Sequence, residues 1–296
     1  MSDPLSELLQ KVRFSASVFF RAEYCGNWAV DTSGSRQVPF HLVTHGEGWL
    51  HTDGESPTRL MTGHLVLFPN DAPHVLSASE EEPDPTVINA PPADHMEGAV
   101  TRLVCGYFSF DEKAAAPLLA SLPGTMLLNL SDASSSGARE LVQLWMREAA
   151  ENALGSDVAV DRFAELVFIQ ALRCQMSMGR LTGVIGALAD KRLGPILGNI
   201  HRHPGAPHTL KEMASSALLS ESAFTQRFKK QVGMTPGNYV RHWRMQSAAR
   251  LLTDTDLSMG AIAERVGYES EVAFRKAFST HFEQTPGRYR RGTHSA

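Results

Sequence analysis

The sequence has few cysteines, no long apolar run and no overall excess of positive charge. Only Cys25, Cys105 and Cys174 are present, too few for the disulfide framework of a small secreted protein. No apolar run reaches the roughly 18 residues that a membrane span needs, and the N-terminus lacks a signal-peptide pattern. We therefore expect a cytoplasmic protein without a membrane partner.

The net charge of −4 hides a division of charge along the 296 residues. Residues 190–296 hold 16 Lys+Arg and 9 Asp+Glu, a net of +7, whereas residues 1–189 hold 12 and 23, a net of −11. The length allows two domains with a core each. We therefore expect an acidic N-terminal part and a basic C-terminal part suited to a polyanion.

The C-terminal third contains one short motif twice. Residues 220–224 read Ser-Glu-Ser-Ala-Phe and residues 270–274 read Ser-Glu-Val-Ala-Phe. The sequence Thr-Pro-Gly-x-Tyr at residues 235–239 recurs at residues 285–289, so both parts of the motif repeat at the same offset. An internal repeat of this kind indicates two copies of one supersecondary unit.

Each copy predicts two short helices joined by a tight turn. Thr209 with Glu212 has the pattern of a capping box at the start of one helix, and Ser220 is placed to cap the next. Phe224 and Phe228 lie four positions apart, share one helical face and point inward, as do their counterparts in the second copy. Two helices with a polar, basic outer face are typical of a helix-turn-helix.

The outward side chains of the second helix in each copy fall into two chemical groups. Six match base edges, with Gln suited to adenine, Lys to guanine, Glu to cytosine and Val to the thymine methyl group: Ser222, Thr225, Gln226, Glu271, Val272 and Lys276. Two basic side chains are expected to hold phosphates, which fix the register without reading sequence: Lys229 and Arg275.

Residues 237–253, which follow Pro236, predict a connecting helix of roughly 25 Å, able to hold two recognition helices about one DNA turn apart. These features resemble the DNA-binding domain of AraC/XylS-type transcription regulators over about residues 190–292. The resemblance implies double-stranded promoter DNA as the ligand and RNA polymerase as a protein partner. The alternative to a DNA-binding domain is two ordinary helical hairpins with aromatic cores. That alternative leaves the polar and basic outer faces of the helices unexplained.

The N-terminal half predicts a β-rich domain. Short strands are expected at residues 17–22, 28–31, 40–44, 48–52, 64–68 and 101–108, a spacing that favours a barrel or jelly roll. The pattern Gly63, five residues, Pro69, four residues, His74 resembles the second motif of cupins, with Asp71 in place of the usual glycine. The resemblance implies a sensor barrel of the kind fused to many AraC-type regulators, which usually has no enzymatic activity.

The first cupin motif is incomplete, because Val43 occupies the position of its second histidine after His41. His41 and His45 lie four positions apart and on a straight strand would face the same side. With His74 they are expected to line the mouth or the interior of the barrel. Two interpretations stay open: these histidines bind a metal such as Zn²⁺, or they are hydrogen-bonded wall residues.

Cys25 and Cys105 lie on or beside predicted barrel strands. The chain is particularly similar to the reactive-chlorine-responsive members of the family, through Trp28, residues 40–41, residues 63–74 and residues 104–106. This resemblance implies that the two cysteines are oxidant targets. His41 and His74 complete the candidate effector or redox site. A thiolate beside an imidazolium would have a lowered pKa and react with oxidants; the alternative is two buried, small apolar residues. Cys174 is expected to serve packing.

The middle of the chain becomes helical. Helices are expected at residues 112–122, 138–154 and 157–178, with one further strand at 125–130. The apolar stripes of the two long helices either cover the barrel or pair with a second copy in a homodimer. Residues 179–189 are predicted as the interdomain linker.

The sequence therefore predicts a two-domain α+β protein. A cupin-like sensor barrel at residues 1–130 and a helical dimerisation and linker segment at 131–189 precede an all-α double helix-turn-helix domain at 190–296. We expect a sequence-specific transcription regulator, not an enzyme, that senses an oxidant or a small ligand. Three alternatives remain: a metal-dependent cupin enzyme with a DNA-binding tail, a regulator with a non-redox effector, and an architectural DNA binder.

Overall fold

The computed structural model describes residues 3–90, 99–130, 136–151, 153–177 and 182–293. Contacts divide the chain into two units. One comprises Phe14–Phe110 and Leu122–Met178, and the other comprises Met1–Arg13, Asp111–Ser121 and Gly179–Ala296. Within the described ranges, no helix combines the length and the hydropathy needed to cross a membrane.

The first unit is built on two antiparallel sheets. Its strands are β1 (Phe14–Cys25), β2 (Ala29–Val30), β3 (Val38–His45), β4 (Glu47–Thr52), β5 (Thr58–Met61), β6 (His64–Leu67), β7 (His74–Ser77), β8 (Val100–Phe110) and β9 (Met126–Asn129). One sheet has the strand order β1-β8-β3-β6-β9 and the other has the order β2-β7-β4-β5. All seven predicted strands are confirmed, whereas β5 and β7 were missed.

Successive side chains along each strand point to opposite faces, so one face of the larger sheet lies toward the barrel core and the other toward helices. Val43, Leu103 and Cys105 lie in a buried cluster to which strands of both sheets contribute. Phe40 points to the other face, where its ring lies against Gly106. A Cβ atom at Gly106 would come within 2.5 Å of that ring, so the position requires glycine.

The turn between β6 and β7 carries the cupin-like motif. Asp71, which stands where cupins usually have glycine, adopts the left-handed conformation with φ of 52°. Its carboxylate accepts hydrogen bonds from the backbone N–H of Gly34 at 3.1 Å and of Arg36 at 2.6 Å. These bonds explain how a non-glycine residue is kept in this conformation.

Two long helices, α3 (Ser136–Glu151) and α4 (Ser156–Ser177), cover the outer face of the larger sheet. The Trp145 ring lies 5.9 Å from that of Phe40, and the Phe168 ring lies 4.8 Å from that of Phe108. The predicted apolar stripes therefore cover the protein's own sheet. Asp161 of α4 also accepts a hydrogen bond from the backbone N–H of Val18 at 2.8 Å, which satisfies an amide on the edge strand β1.

The second unit is helical. Its helices are α1 (Pro4–Val12), α2 (Glu112–Leu119), α5 (Gly183–Ala189), α6 (Gly194–Arg202), α7 (Leu210–Ser216), α8 (Glu221–Val232), α9 (Pro236–Asp254), α10 (Met259–Arg265), α11 (Glu271–Phe282) and α12 (Pro286–Thr293). The prediction of a linker at residues 179–189 is wrong for its described part. Val184, Ile185 and Leu188 of α5 are buried in a packed helix.

The predicted caps and repeat are confirmed. Thr209 and Glu212 form a complete capping box at the start of α7. Ser220 and Ser270, which occupy the same position in the two copies of the motif, each accept a hydrogen bond from the backbone N–H three positions later. The cap residues and the helix periodicity together fix where α8 and α11 begin.

The N-terminal helix α1 packs on α6 of the helical unit, although the whole first unit separates them in the chain. Leu8 and Val12 are fully buried there. Arg13 forms an ion pair with Asp254 at the end of α9. Because α1 buries four apolar residues, it contributes to the stability of this unit.

We expect Leu8→Ala to destabilise the helical unit by about 2–5 kcal/mol, because the truncation leaves a cavity where a leucine is buried. Urea denaturation followed by far-ultraviolet circular dichroism measures the change. Gln10→Ala, on the exposed side of the same helix, is the control and should alter stability little. Equal stability of the two variants would contradict the packing of α1.

Candidate functional site

The outer face of α8 presents polar side chains opposite its buried phenylalanines. Ser222, Gln226 and Lys229 are exposed, and Thr225 is half-buried. The Thr225 hydroxyl donates to the carbonyl of Glu221 at 2.8 Å and is thereby committed to its own helix. Gln226 and Lys229 are therefore the side chains of this face best placed for an external ligand.

The outer face of α11 is also exposed, with Val272 retaining 78% of its accessible surface. The Arg275 guanidinium donates to the Glu271 carboxylate at 2.7 Å, one helical turn away. The two side chains, predicted to contact a phosphate and a cytosine separately, thus form one ion pair. Lys276 is exposed beside them.

Asp190, which belongs to none of the sequence motifs, supports α8 from behind. Its carboxylate accepts hydrogen bonds from Arg227 at 2.5 Å and Gln231 at 3.3 Å on α8, and from the backbone N–H of Arg192 and Leu193. Burial acts to raise the pKa of Asp190, but these hydrogen bonds outweigh it and lower the pKa to about 2. The one sequence feature that could have indicated this role is the position of an acidic residue just before a helix of the basic domain.

Three of the predicted sensor residues meet in the barrel core. The His41 Nδ1 lies 3.0 Å from the Cys105 Sγ, and the His41 Nε2 lies 3.1 Å from the His74 Nε2. The hydroxyl of Thr32, a residue that no sequence motif includes, lies 3.1 Å from both Nε2 atoms. His41 and Cys105 are fully buried.

One backbone contact fixes the direction of these hydrogen bonds. The His74 Nδ1 lies 2.8 Å from the carbonyl oxygen of Ala72, which only accepts, so Nδ1 carries the proton and Nε2 of neutral His74 accepts. The His41 tautomer that gives the His41–His74 contact a donor carries its proton on Nε2, so the His41 Nδ1 accepts the thiol proton of Cys105. The hydrogen bonds therefore run from the Cys105 thiol through His41 and His74 to Ala72.

Burial sets the protonation of this cluster. It lowers the pKa of His41 well below its usual value, with the nearby His74 as the second cause, and it also lowers the pKa of His74. Burial raises the pKa of the Cys105 thiol far above its usual value. The expectation that an imidazolium lowers the pKa of this thiol is therefore wrong, because both imidazoles are neutral and the sulfur keeps its proton.

His45 does not join His41 and His74. A register shift against β8 between Val43 and His45 leaves His45 exposed, so the predicted shared face is wrong. The cluster then offers two imidazoles and a hydroxyl, with Cys105 on the opposite ring nitrogen of His41. This donor set does not fit zinc, and the described residues contain no group of three His, Cys, Asp or Glu able to hold a metal.

Cys25 lies apart from this cluster and is half-buried. It pairs with Val100, whereas Cys105 pairs with Phe20, so five positions along the strand separate the two cysteines. That spacing corresponds to roughly 17 Å along the strands, and a disulfide needs Cα atoms within about 7 Å. Cys25 and Cys105 cannot form a disulfide in this fold without rearrangement of the sheet.

Two known families match the chain. A family model described as Cupin matches residues 3–177, and one described as a helix-turn-helix domain matches residues 213–292. An uncharacterized HTH-type transcriptional regulator of Haemophilus influenzae is 31% identical, and HTH-type transcriptional regulator MtrA of Neisseria gonorrhoeae is 30% identical, each over 98% of both chains. The RCS-specific HTH-type transcriptional activator RclR of Escherichia coli is 28% identical over 86% of this chain and 84% of its own.

We expect iodoacetamide to label Cys105 of the native protein much more slowly than Cys25, because burial blocks access and disfavours the reactive thiolate. Peptide mass spectrometry after timed labelling measures both rates. Labelling in urea, where all three cysteines should react alike, is the control. Rapid labelling of Cys105 in the native protein would contradict the described core.

Proposed function

The chain belongs to the AraC-type DNA-binding transcription regulators that carry an N-terminal cupin domain, and from this we propose that its barrel adjusts operator binding in response to an oxidant or a small ligand. The observation that carries the proposal is the buried chain of hydrogen bonds linking the Cys105 thiol to His41 and His74. A change at the sulfur alters the hydrogen bonding of the whole cluster, because each member depends on its neighbour.

The proposed DNA contacts follow the exposed faces of α8 and α11. Gln226 reads adenine through its amide, and Lys276 reads guanine. Lys229 holds a phosphate. Ser222 and Val272 remain proposed base contacts. Thr225 contacts a base only after its hydroxyl releases the carbonyl of Glu221 in its own helix. Glu271 and Arg275 contact DNA as an ion pair.

The proposed oxidant response begins at Cys25 on β1 and reaches the hydrogen-bonded cluster through β8, the strand that pairs with β1 and carries Cys105. Hypochlorous acid converts a thiol to a sulfenic acid, with oxidation of the sulfur, formation of an S–O bond, and release of a proton and chloride. Cys25 is half-buried and therefore more accessible than Cys105. Cys105 takes part only after the core opens.

A non-redox effector is the second candidate, favoured by the burial and the raised pKa of Cys105. A ligand that donates a hydrogen bond to the imidazoles would then replace the thiol contact. In either case we assign the barrel to sensing and not to catalysis, because its donor set does not fit a metal centre.

The proposed partners are double-stranded promoter DNA, RNA polymerase and a second copy of the chain. Leu144, Val158 and Leu166 of α3 and α4 stay exposed after the helices have covered the sheet, with 44%, 64% and 48% of their surface accessible. Exposed apolar groups of this kind support the homodimer contact proposed for residues 131–189. The boundary between the predicted barrel and helical segments at residue 130 also remains our proposal.

We expect Gln226→Ala to relax the preference at one base pair of a duplex selected from a random pool, at a cost of about 1–3 kcal/mol on that duplex alone. Lys229→Ala should weaken binding to selected and random duplexes alike. Fluorescence anisotropy titrations at fixed salt measure both effects. If both substitutions caused equal losses on both duplexes, the assigned roles would be wrong.

A short pulse of hypochlorous acid should change the affinity for the selected duplex at least tenfold, because oxidation of Cys25 perturbs the barrel. Cys25→Ser should abolish this response, and Cys174→Ser is the control that should retain it. An unchanged affinity of the oxidised wild type, or a full response in a Cys25→Ser/Cys105→Ser double variant, would rule out the redox form of the proposal.

A further inference from the structure

A pocket of about 610 Å³ lies between the N-terminal half of α9 and the side of α11 that carries Lys276 and Thr280. Asn238 and Arg241 line it from α9, and Lys276 and Thr280 line it from α11. Neither the sequence motifs nor the proposed base contacts account for Asn238 or Arg241.

The pocket carries positive charge at its rim. Arg241 and Lys276 are both exposed, and none of the described residues that line the pocket is Asp or Glu. His242 and His281 line it deeper, and their ring centroids are 5.4 Å apart. Burial, and then the nearby His281, lowers the pKa of His242 to about 4, so the lower wall is neutral at physiological pH. The two rim cations therefore set the charge that a ligand meets.

Helix geometry separates the face of Arg241 from the face that contacts α1. Arg250 follows Arg241 by nine positions, which at about 3.6 residues per turn is a rotation of about 180°. The guanidinium of Arg250 donates to the carbonyl of Gln10 in α1 at 3.4 Å. Arg241 therefore points away from α1, toward α11.

The position of Lys276 relates the pocket to the proposed DNA face. Lys276 lies one helical turn after Val272, which is 78% exposed on the outer face of α11. An α-helix nearly fills the major groove, whose width is about 12 Å, so phosphates run along both sides of an inserted helix. A cation on α9, the helix beside α11, is then placed to reach one of these phosphates.

We propose that Arg241 binds a backbone phosphate at the edge of the groove entered by α11. The phosphate enters the α9 side of the pocket, while Lys276 on the α11 side stays directed at the base edge. Asn238 supplies an amide N–H donor beside it. The inference rests on the proposed DNA-binding role of α11 and adds the connecting helix α9 to the DNA interface. Because phosphates are the same at every base pair, this contact contributes affinity and register without sequence preference.

The test measures the affinity of the full chain for the selected duplex as a function of salt concentration. In Arg241→Ala the loss of one phosphate contact should make the negative slope of log K against log salt shallower by about 0.9. The affinity lost between about 50 mM and 200 mM salt should then be smaller by a factor of about 3.5. Arg241→Lys, which keeps the charge, should retain most of the wild-type slope.

Arg265→Ala is the matched control, because Arg265 is an exposed arginine that lines a separate cleft together with Arg250. It removes the same charge and should leave the slope unchanged. Arg241→Gln provides a second variant should the alanine variant fold poorly, as judged by urea denaturation. A wild-type slope in folded Arg241→Ala or Arg241→Gln would overturn the inference, as would a change in base preference.

The outcome for this inference is separable from that for the proposed function. Absence of salt-dependent binding of any duplex by the wild type would remove the DNA-binding proposal itself. Salt-dependent, selective binding by the wild type with an unaltered Arg241→Ala slope would remove only the contact by α9.

Discussion

Burial of two phenylalanines on each recognition helix is the constraint on which the DNA-binding unit depends. Phe224 with Phe228, and Phe274 with Phe278, are completely buried, and their rings lie 5.6 and 5.8 Å apart. Residues four apart occupy one face, so burying both fixes the rotation of the helix about its axis. The outward face of α8 and of α11 is thereby determined before any ligand is present.

Features that depend on neighbouring residues were predictable from the sequence, and features that depend on distant partners were not. The capping box at Thr209 and the cap at Ser220 need only the next three residues, and both are confirmed. The packing of α1 on α6 needs a partner far along the chain, which no local pattern specifies. Residues 183–189 looked like a linker because small residues are frequent there, although their apolar side chains are buried.

In the barrel core, too, local patterns were predictable from the sequence and long-range contacts were not. The cupin-like motifs singled out His41 and His74, and the resemblance to the reactive-chlorine-responsive members singled out Cys105. Strand spacing misplaced His45, because a one-residue shift beside Val43 changes which side faces inward. The pKa of Cys105 depends on how completely the sulfur is buried, and sequence does not report that depth. Thr32 lies outside every motif, yet its hydroxyl lies within hydrogen-bonding distance of both imidazoles.

The position of α1 has a consequence for the order of events during synthesis. This helix leaves the ribosome well before α6, because the whole first unit is made between them. At elongation rates of about 5–20 residues per second, the delay is roughly 10 to 40 seconds. Throughout that interval α1 lacks the cover that α6 provides, and that part of its apolar side is available to chaperones. The helical unit is therefore completed only after its segments on both sides of the first unit have been made.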